Sequence, residues 1–402
     1  MSDRSRFTDS TTSSETQKHK KKKSTSSVSY RRAQNASYKP VSTKRKRRHT
    51  EEEYQEPSRK RKTKKKKGCL GSILLPLVLL ILIVFCLALI FMRSAFQKVE
   101  KYNLDMSQIS VNDQDKNIDH YQTIALFGVD NQDNKIQDTG SRTDCIIVAS
   151  INKSSKKVKL MSIYRDTYVS INGQYDKINA AYSYGGPELA ISTINRNLDL
   201  NITDFATVNF KALADAVDIL GGIELTIKSE KELKNLNDYI GNMNKINGGN
   251  SPKFDETGTF TFDGNQAVAY SRIRYMEGGD HERANHQRLV VEGIVKQAKR
   301  KPWKLKELVD QVVPQCKTSF STGDKTKLSL GLLRYKIEDS QAYPFKSVDE
   351  KYGGIYYGFP LTACSNAIEA HEYLFGTTDY EPTEELQKIS GKIEAVTDDL
   401  GY

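Results

Sequence analysis

Apolar positions along this chain fall into short runs separated by polar segments, with two stretches that break the pattern. Residues 1–67 hold almost no apolar run, and residues 68–92, GCLGSILLPLVLLILIVFCLALIFM, hold no charge at all. The regular pattern begins near residue 120. TIALFGV (123–129), CIIVASI (145–151) and VKLMSIY (158–164) each predict a strand, and NKSSKK between the last two has hairpin length. PELAISTINRNL (187–198) has helical spacing with Pro187 in a first-turn position. FATVNF (205–210) predicts a strand, KALADAVDIL (211–220) a helix closed by Gly221 and Gly222, and IELTI (223–227) another strand. FDGNQAVAY (262–270) predicts a short helix beginning after Gly264, and Asp280 caps a long helix through HERANHQRLVVEGIVKQAKR. KTKLSLGLLRYK predicts one further amphipathic helix, and the chain from Tyr380 reads as a loosely packed tail. Strands alternating with helices imply an α/β fold: a layered α/β/α domain with a mixed central sheet, preceded by a disordered basic tail and one transmembrane helix.

Charge sharpens the division. Residues 1–67 carry 23 Lys and Arg against seven Asp and Glu, a net of +16, whereas the rest of the chain carries 38 against 43, a net of −5, so the positive balance of the chain comes from the tail. A Ser-, Thr- and Lys-rich segment of this kind cannot bury enough apolar surface to fold. The 25 residues of 68–92, at about 1.5 Å rise each, suffice to cross a hydrocarbon core of roughly 30 Å. KTKKKK directly before them places the N-terminus in the cytoplasm and residues 93–402 outside. A cleavable signal peptide would need an n-region of 67 residues and a small-residue cleavage site, so the anchor is read as retained in the cell membrane, single-pass. The tail then serves anionic membrane lipids, at about 1 kcal/mol per basic residue near the surface. Nucleic acid is disfavoured as a partner, because KRKRR comes without a fold to read bases. Residues 93–118 are expected to form a polar, helix-capable stalk, 119–300 the main domain, 301–379 the C-terminal part of the same external module, and 380–402 a tail.

Five cysteines exclude a disulfide-stapled scaffold and show no zinc spacing; Cys145 sits in an apolar run, and Cys316 with Cys364 is the one pairing available to an oxidising compartment.

The candidate chemistry gathers at strand ends. A hairpin of 145–151 with 158–164 brings Asp144 and Arg165 to one sheet edge. A first strand parallel to 158–164 adds Asp130 there, and Arg142 and Asp166 complete the cluster. Structural ion pairing at a sheet edge would produce the same spacing, so the motif alone leaves both readings open. The segment AYSRIRYMEGGDHERANHQR (269–288) supplies four arginines and no lysine. If SRIR is extended, Arg272 and Arg274 share a face; if the preceding helix continues, they diverge. Arg283 and Gln287 share a helix face near a positive N-terminus, with Leu289, Val290, Ile294 and Ala298 as the buried face and Arg288 as a surface residue. Several guanidinium forks, a helix N-terminus and nearby carboxylates suit a pyrophosphate with a divalent cation.

The ordered set GVD, SRTD, SIYRDTYVSI, KINAAYSYGG, VNF, DILGGI, DGNQAVAYSRIR and GGDHERANHQR resembles the LytR–CpsA–Psr family of Gram-positive bacteria over roughly residues 120–300. The resemblance implies an extracellular phosphotransferase that moves an anionic glycopolymer, such as teichoic acid or capsular polysaccharide, from an undecaprenyl-pyrophosphate carrier to the C6 hydroxyl of muramic acid in peptidoglycan. It implies Mg2+ (or Mn2+) on Asp130 and Asp144, pyrophosphate contacts from Arg142, Arg165, Arg272, Arg274, Arg283 and Gln287, and Asp280 beside them. Lys177 is a further anion contact or a solvated lysine. Asp280 and Asp166 are the candidate bases, with Arg165 at the reacting phosphate. The sequence departs from the family pattern in having Tyr164 in place of Pro and His286 in place of Arg, the second of which would weaken one positive contact.

Two alternatives stay open: hydrolysis of the lipid pyrophosphate at the same site, and a membrane-bound regulator whose basic tail contacts DNA. Trp303 and the tyrosines of YKIEDSQAYPFKSVDEKYGGIYYGFPL either stack on sugars or fill a core.

Overall fold

The computed structural model describes residues 101–112, 115–129, 136–137, 139–274 and 280–402, with Asp280, Ser329 and Leu330 described by their backbone only. The tail 1–67, the apolar run 68–92 and Asp130 lie outside these residues. Among the described residues no helix is long and apolar enough to cross a membrane.

Three apolar runs become strands β1 (Tyr121–Val129), β2 (Thr143–Asn152) and β3 (Lys157–Ile163). β2 is antiparallel to both neighbours. Asn152 shapes the β2–β3 turn, its side-chain oxygen accepting the backbone N–H groups of Ser154 and Ser155 at 3.0 and 2.8 Å. β6 (Asp204–Asn209) runs parallel to β1 on its other side. The edges are β9 (Lys317–Thr318) and β10 (Lys336–Tyr343), giving the order β10-β3-β2-β1-β6-β9. The central sheet is therefore mixed, as expected. Both edge strands come from beyond residue 300, so the C-terminal part is built into the same sheet.

Side chains alternate across β2, and both faces are apolar. Ile146 and Val148 meet helices α1 (Ala180–Leu198) and α8 (Ala363–Phe375) through Ile191, Ile194, Leu198 and Leu374. Ile147, Ala149 and Ile151 face the opposite layer, where α5 (Asp280–Arg300) and α7 (Thr322–Gly331) contribute Val291 and Leu328. Each such side chain, fully buried, contributes about 1.5–3 kcal/mol relative to exposure. The helix expected from Pro187 is the second of two pieces of α1, separated where Gly185 and Gly186 leave helical backbone.

A satellite layer completes the site. α2 (Phe210–Ile219) is capped by the Asn209 side chain, which accepts from the Ala212 N–H at 2.8 Å. α3 (Glu230–Ile246) and α4 (Gly264–Ser271) pack with the ribbon of β7 (Ile223–Ile227) and β8 (Gly258–Phe262) around Leu236, Ile240, Phe262 and Tyr270. α4 begins with a capping box between Asp263 and Gln266. A Cβ at Gly264 would stand 2.4 Å from the Ala214 carbonyl oxygen, so only glycine lets α4 lie against α2 this closely.

Several expectations are corrected. The stalk does not continue as a helix: residues 101–112 lie on the domain with one 3-10 turn, Ile109 enters the core, and the Tyr102 hydroxyl donates to Glu188 at 3.2 Å. The segment after Tyr380 is no loose tail. It forms α9 (Glu384–Asp399), which buries Leu386, Ile389 and Ile393. Buried Asp199 pins its start, accepting from the Tyr380 hydroxyl at 2.7 Å and from the Thr383 hydroxyl at 2.7 Å. α6 (Leu305–Gln311) follows α5. α9 packs against α8 through Ala363 and Ala367, and against the hairpins β4 (Tyr168–Ile171) with β5 (Gln174–Lys177) and β11 (Ser347–Tyr352) with β12 (Ile355–Pro360) through Tyr168, Tyr357 and Phe359. Cys316 and Cys364 are unpaired thiols in separate clusters, so the disulfide does not form.

Candidate active site

The β2–β3 hairpin sets Asp144 beside Arg165, with the Arg165 Nη1 donating to Asp144 Oδ1 at 2.6 Å. The second carboxylate oxygen accepts from Arg274 Nη2 at 3.0 Å, and the Gln287 side chain donates to the Asp144 carbonyl at 3.0 Å. Arg165 also turns its Nε toward Asp166 at 3.3 Å, and the other Asp166 oxygen holds the Lys177 ammonium at 2.8 Å. Arg283 is almost fully buried on α5, where its charge acts on Asp144. Burial would raise the Asp144 carboxyl, but Arg165 foremost, with Arg283 and Arg274, outweighs burial and holds it below the ordinary carboxylate range. Arg165, Arg274, Arg283 and Lys177 thus stand against Asp144 and Asp166, an excess of positive charge in a partly buried place.

Arg272 arrives differently from the extended reading. It is the C-cap of α4 in helical backbone, and its guanidinium lies over Phe210, 4.5 Å from the ring centroid. It still reaches the same cavity wall as Arg274, because the helix ends there and the chain turns. Arg142 is exposed at the start of β2, within electrostatic reach of Tyr184. Asp280 is the first residue of α5, and its side chain lies outside the described atoms, as does all of Asp130. Val129, immediately before Asp130, pairs with Thr143, the neighbour of Asp144.

Two neighbouring residues are not where their sequence placed them. His286 makes no anion site: it is 1% exposed, 3.0 Å from the Glu232 carboxylate of α3, with its ring tilted 47° against that of Tyr270. Arg288 is no surface residue but 8% exposed, and burial lowers its pKa.

Behind the cluster lies a cavity of about 230 Å³. Its floor is the face of the sheet bearing Leu126, Gly128, Cys145, Ile147, Ala206 and Val208; its walls are Phe210 and Leu213 of α2 and Val290, Val291, Ile294 and Val295 of α5. The polar lining at its mouth includes Asp144, Arg272, Arg274 and Gln287. β6 shows the origin of the floor: Phe205, Thr207 and Asn209 are buried, while Ala206 and Val208 are apolar but only half covered. At Gly128 a Cβ would fall 2.8 Å from the Cys145 Cβ, so glycine permits the close strand approach under the floor. Burial pushes the Cys145 thiol up to about 12, which leaves it an inert wall rather than a nucleophile. Sequence reasoning placed the arginines but not this cavity; the signal available was a sheet apolar on both faces.

The donor set is compatible with Mg2+. Asp144 Oδ1 accepts from Arg165 and Oδ2 from Arg274, a carboxylate has lone pairs for further partners, and Mg2+ typically takes one or two carboxylates together with phosphate oxygens and water. Among the described residues no three His, Cys, Asp or Glu side chains gather as a metal set.

The LytR_cpsA_psr family model matches residues 88–371. A polyisoprenyl-teichoic acid–peptidoglycan teichoic acid transferase, TagU, of Enterococcus faecalis is 32% identical over 245 residues, 60% of this chain and 72% of that one. TagT of Bacillus subtilis, which bears the same activity in its name, is 28% identical over 242 residues, 58% of this chain and 70% of that one. A solved structure of TagT bound to LI-WTA superposes with a TM-score of 0.54 at 25% identity, covering 69% of this chain and all of that one. An arginine cluster at the mouth of an apolar cavity agrees with the motifs read from the sequence, and the family model spans most of the chain: the chain belongs to the LytR–CpsA–Psr family.

Proposed function

We propose that this protein transfers an anionic glycopolymer from a polyprenyl-pyrophosphate carrier, of undecaprenyl type, to the muramic acid C6 hydroxyl of peptidoglycan, outside the membrane to which residues 68–92 anchor it. One observation carries the reading: an apolar cavity whose polar lining is Arg272, Arg274, Gln287 and Asp144, the last paired with Arg165. That is the shape of a ligand with a hydrocarbon tail and a doubly charged head. The names of the related transferases agree with it.

In this reading the polyprenyl chain occupies the cavity and the pyrophosphate meets Arg165, Arg274 and Arg283, with Arg142 at the outer rim. The acceptor hydroxyl oxygen attacks the phosphorus that bears the saccharide. The bond from that phosphorus to the bridging oxygen breaks, and polyprenyl monophosphate departs with the electron pair. The arginines stabilise the charge on the equatorial and leaving oxygens, which is the main catalytic task in phosphoryl transfer. Mg2+, held by Asp144 and Asp130, would supply further charge neutralisation. Asp166 and Asp280 are the candidate bases for the hydroxyl proton in this reading. Asp166 is engaged by Arg165 and Lys177, so Asp166→Asn and Asp280→Asn separate the two roles: the variant that removes the base loses turnover while keeping donor affinity.

The test is reconstitution of the full chain with Mg2+, a polyprenyl-pyrophosphate-linked saccharide and peptidoglycan oligomers. Saccharide bound covalently to the glycan, absent with Asp144→Ala, is expected. Free saccharide phosphate as the sole product would assign hydrolysis instead, and no turnover with no lipid binding would return the regulator reading.

A further inference from the structure

We propose that two exposed tyrosines on the outer side of the anion cluster, Tyr184 and Tyr356, form the docking surface for the acceptor glycan strand; this rests on the transferase reading above. The hairpin β11–β12 is fastened to the cluster by main chain. The Gly358 N–H donates to the Asp166 carbonyl at 3.0 Å, and Thr167 bridges to Gly358. Asp349 pairs across the hairpin with Gly358, so its side chain shares one hairpin face with that of Tyr356. That face looks toward the cluster: Asp349 lies 3.4 Å from His281, and Tyr356 feels both Asp349 and Asp166. The opposite hairpin face, with Tyr357 and Phe359, is packed into the core under α9.

Next to Lys177, which pairs with Asp166, Asp176 accepts the hydroxyl of Tyr184 at 2.5 Å. Tyr184 is 59% exposed and Tyr356 49%. The Tyr184 ring is held by Asp176, and Tyr356 stands on the same hairpin face as Asp349, while both side chains stay largely open to water. Aromatic faces next to hydroxyl-accepting carboxylates are the chemistry that grips a pyranose, with its apolar C–H face and its ring of hydroxyl groups.

Geometry selects the acceptor rather than the donor. Arg165 divides the cluster, its Nη1 on Asp144 at the cavity mouth and its Nε on Asp166 away from it. None of Asp166, Lys177, Tyr184 or Tyr356 lines the cavity. In-line displacement needs the attacking and leaving oxygens on opposite sides of the phosphorus. With the lipid leaving group in the cavity, the nucleophile enters from the side of Asp166, where the two tyrosines stand.

The test uses the full chain in detergent with Tyr184→Ala, Tyr356→Ala, their double variant, the Tyr→Phe pair and Trp303→Ala. Trp303 is 71% exposed, but it follows the far end of α5, roughly 30 Å along the helix from its start. Soluble glycan strands are first titrated without donor, then initial rates are taken with acceptor and donor varied in turn. The double Ala variant should bind strands weakly and raise the acceptor KM roughly fivefold to tenfold. The donor KM should hold, Trp303→Ala should behave as wild type, and the Phe pair, which keeps the stacking rings but loses the Tyr184 tether to Asp176, should fall between wild type and the double Ala variant. An unchanged acceptor KM, or a shift in the donor KM instead, overturns the assignment. If the wild type releases saccharide phosphate only to water, the transferase reading has failed separately. The strand titration then decides alone: binding lost in the double Ala variant retains the surface, and no binding by wild type removes it.

Discussion

Arg274 donates to Asp144 across the cavity mouth with its side chain still partly open, so it is placed to exchange that carboxylate for a phosphate. Arg274→Ala is expected to lower kcat/KM by about 10²–10³-fold, the usual cost of removing one charge-stabilising donor. Arg274→Lys should recover only part, since an ammonium lacks the planar fork; full recovery by Lys would mean that only net charge counts. A second test at this scale concerns Glu232, buried on α3 with His286 and with the Lys228 N–H at 2.6 Å. Burial raises its carboxyl, but hydrogen bonds from His286 and Lys228 prevail and lower it. A depressed carboxyl stabilises the fold above its unfolded pKa and loses that contribution as pH falls through the folded value. Glu232→Gln should therefore cost about 3 kcal/mol near neutral pH, and the difference from wild type in urea melts should shrink below about pH 4. An equal difference at pH 7 and pH 3 would show that the pair contributes by shape alone. Arg165, Arg274, Arg283 and Gln287 were legible as single residues, because guanidinium groups crowded without lysine point to an anion. His286 and Arg288 were misread, because one residue of helix rotation separates the buried face of α5 from the cavity mouth.

Elements decide where the hydrocarbon can go. Leu213 on α2 and Val291 on α5 face each other across the sheet floor. Leu213→Trp or Val291→Trp should fill the cavity, raising the KM for long-chain polyprenyl donors about tenfold while leaving a short-chain pyrophosphate analogue nearly unaffected. Equal loss with both donors would place the lipid elsewhere. Strand and helix positions were readable from periodicity here, and the β2–β3 hairpin that joins Asp144 to Arg165 followed from them. The SRIR segment was not: Arg272 and Arg274 meet at one mouth through a helix end and a turn, which alternation along a strand cannot anticipate. α9 had a readable signal in Leu386, Ile389 and Ile393, one helix face, but terminal position argued for a tail.

At the scale of the whole molecule, the basic tail and the catalytic unit have separate tasks in this proposal. Deleting residues 1–67 should leave transfer rates in detergent within about twofold, while abolishing salt-sensitive binding to vesicles rich in anionic lipid. Loss of transfer in detergent would tie the tail to catalysis and favour the regulator reading. The C-terminal hundred residues matter to the whole in a way that local pattern did not disclose. They supply both sheet edges, the α9 support and the hairpin bearing Tyr356.

Local chemistry along the chain was enough to specify the main strands, the charge asymmetry and the ordered motifs that mark the family, because backbone propensity and side-chain type act over a few residues. The apolar cavity, the burial of His286 against Glu232 and of Arg288, and the nearness of Tyr356 to Asp166 depended on the tertiary structure. They arise from which faces pack fully and which do not, and contacts between residues 166 and 358 are set by the closure of the whole sheet rather than by neighbours in the chain.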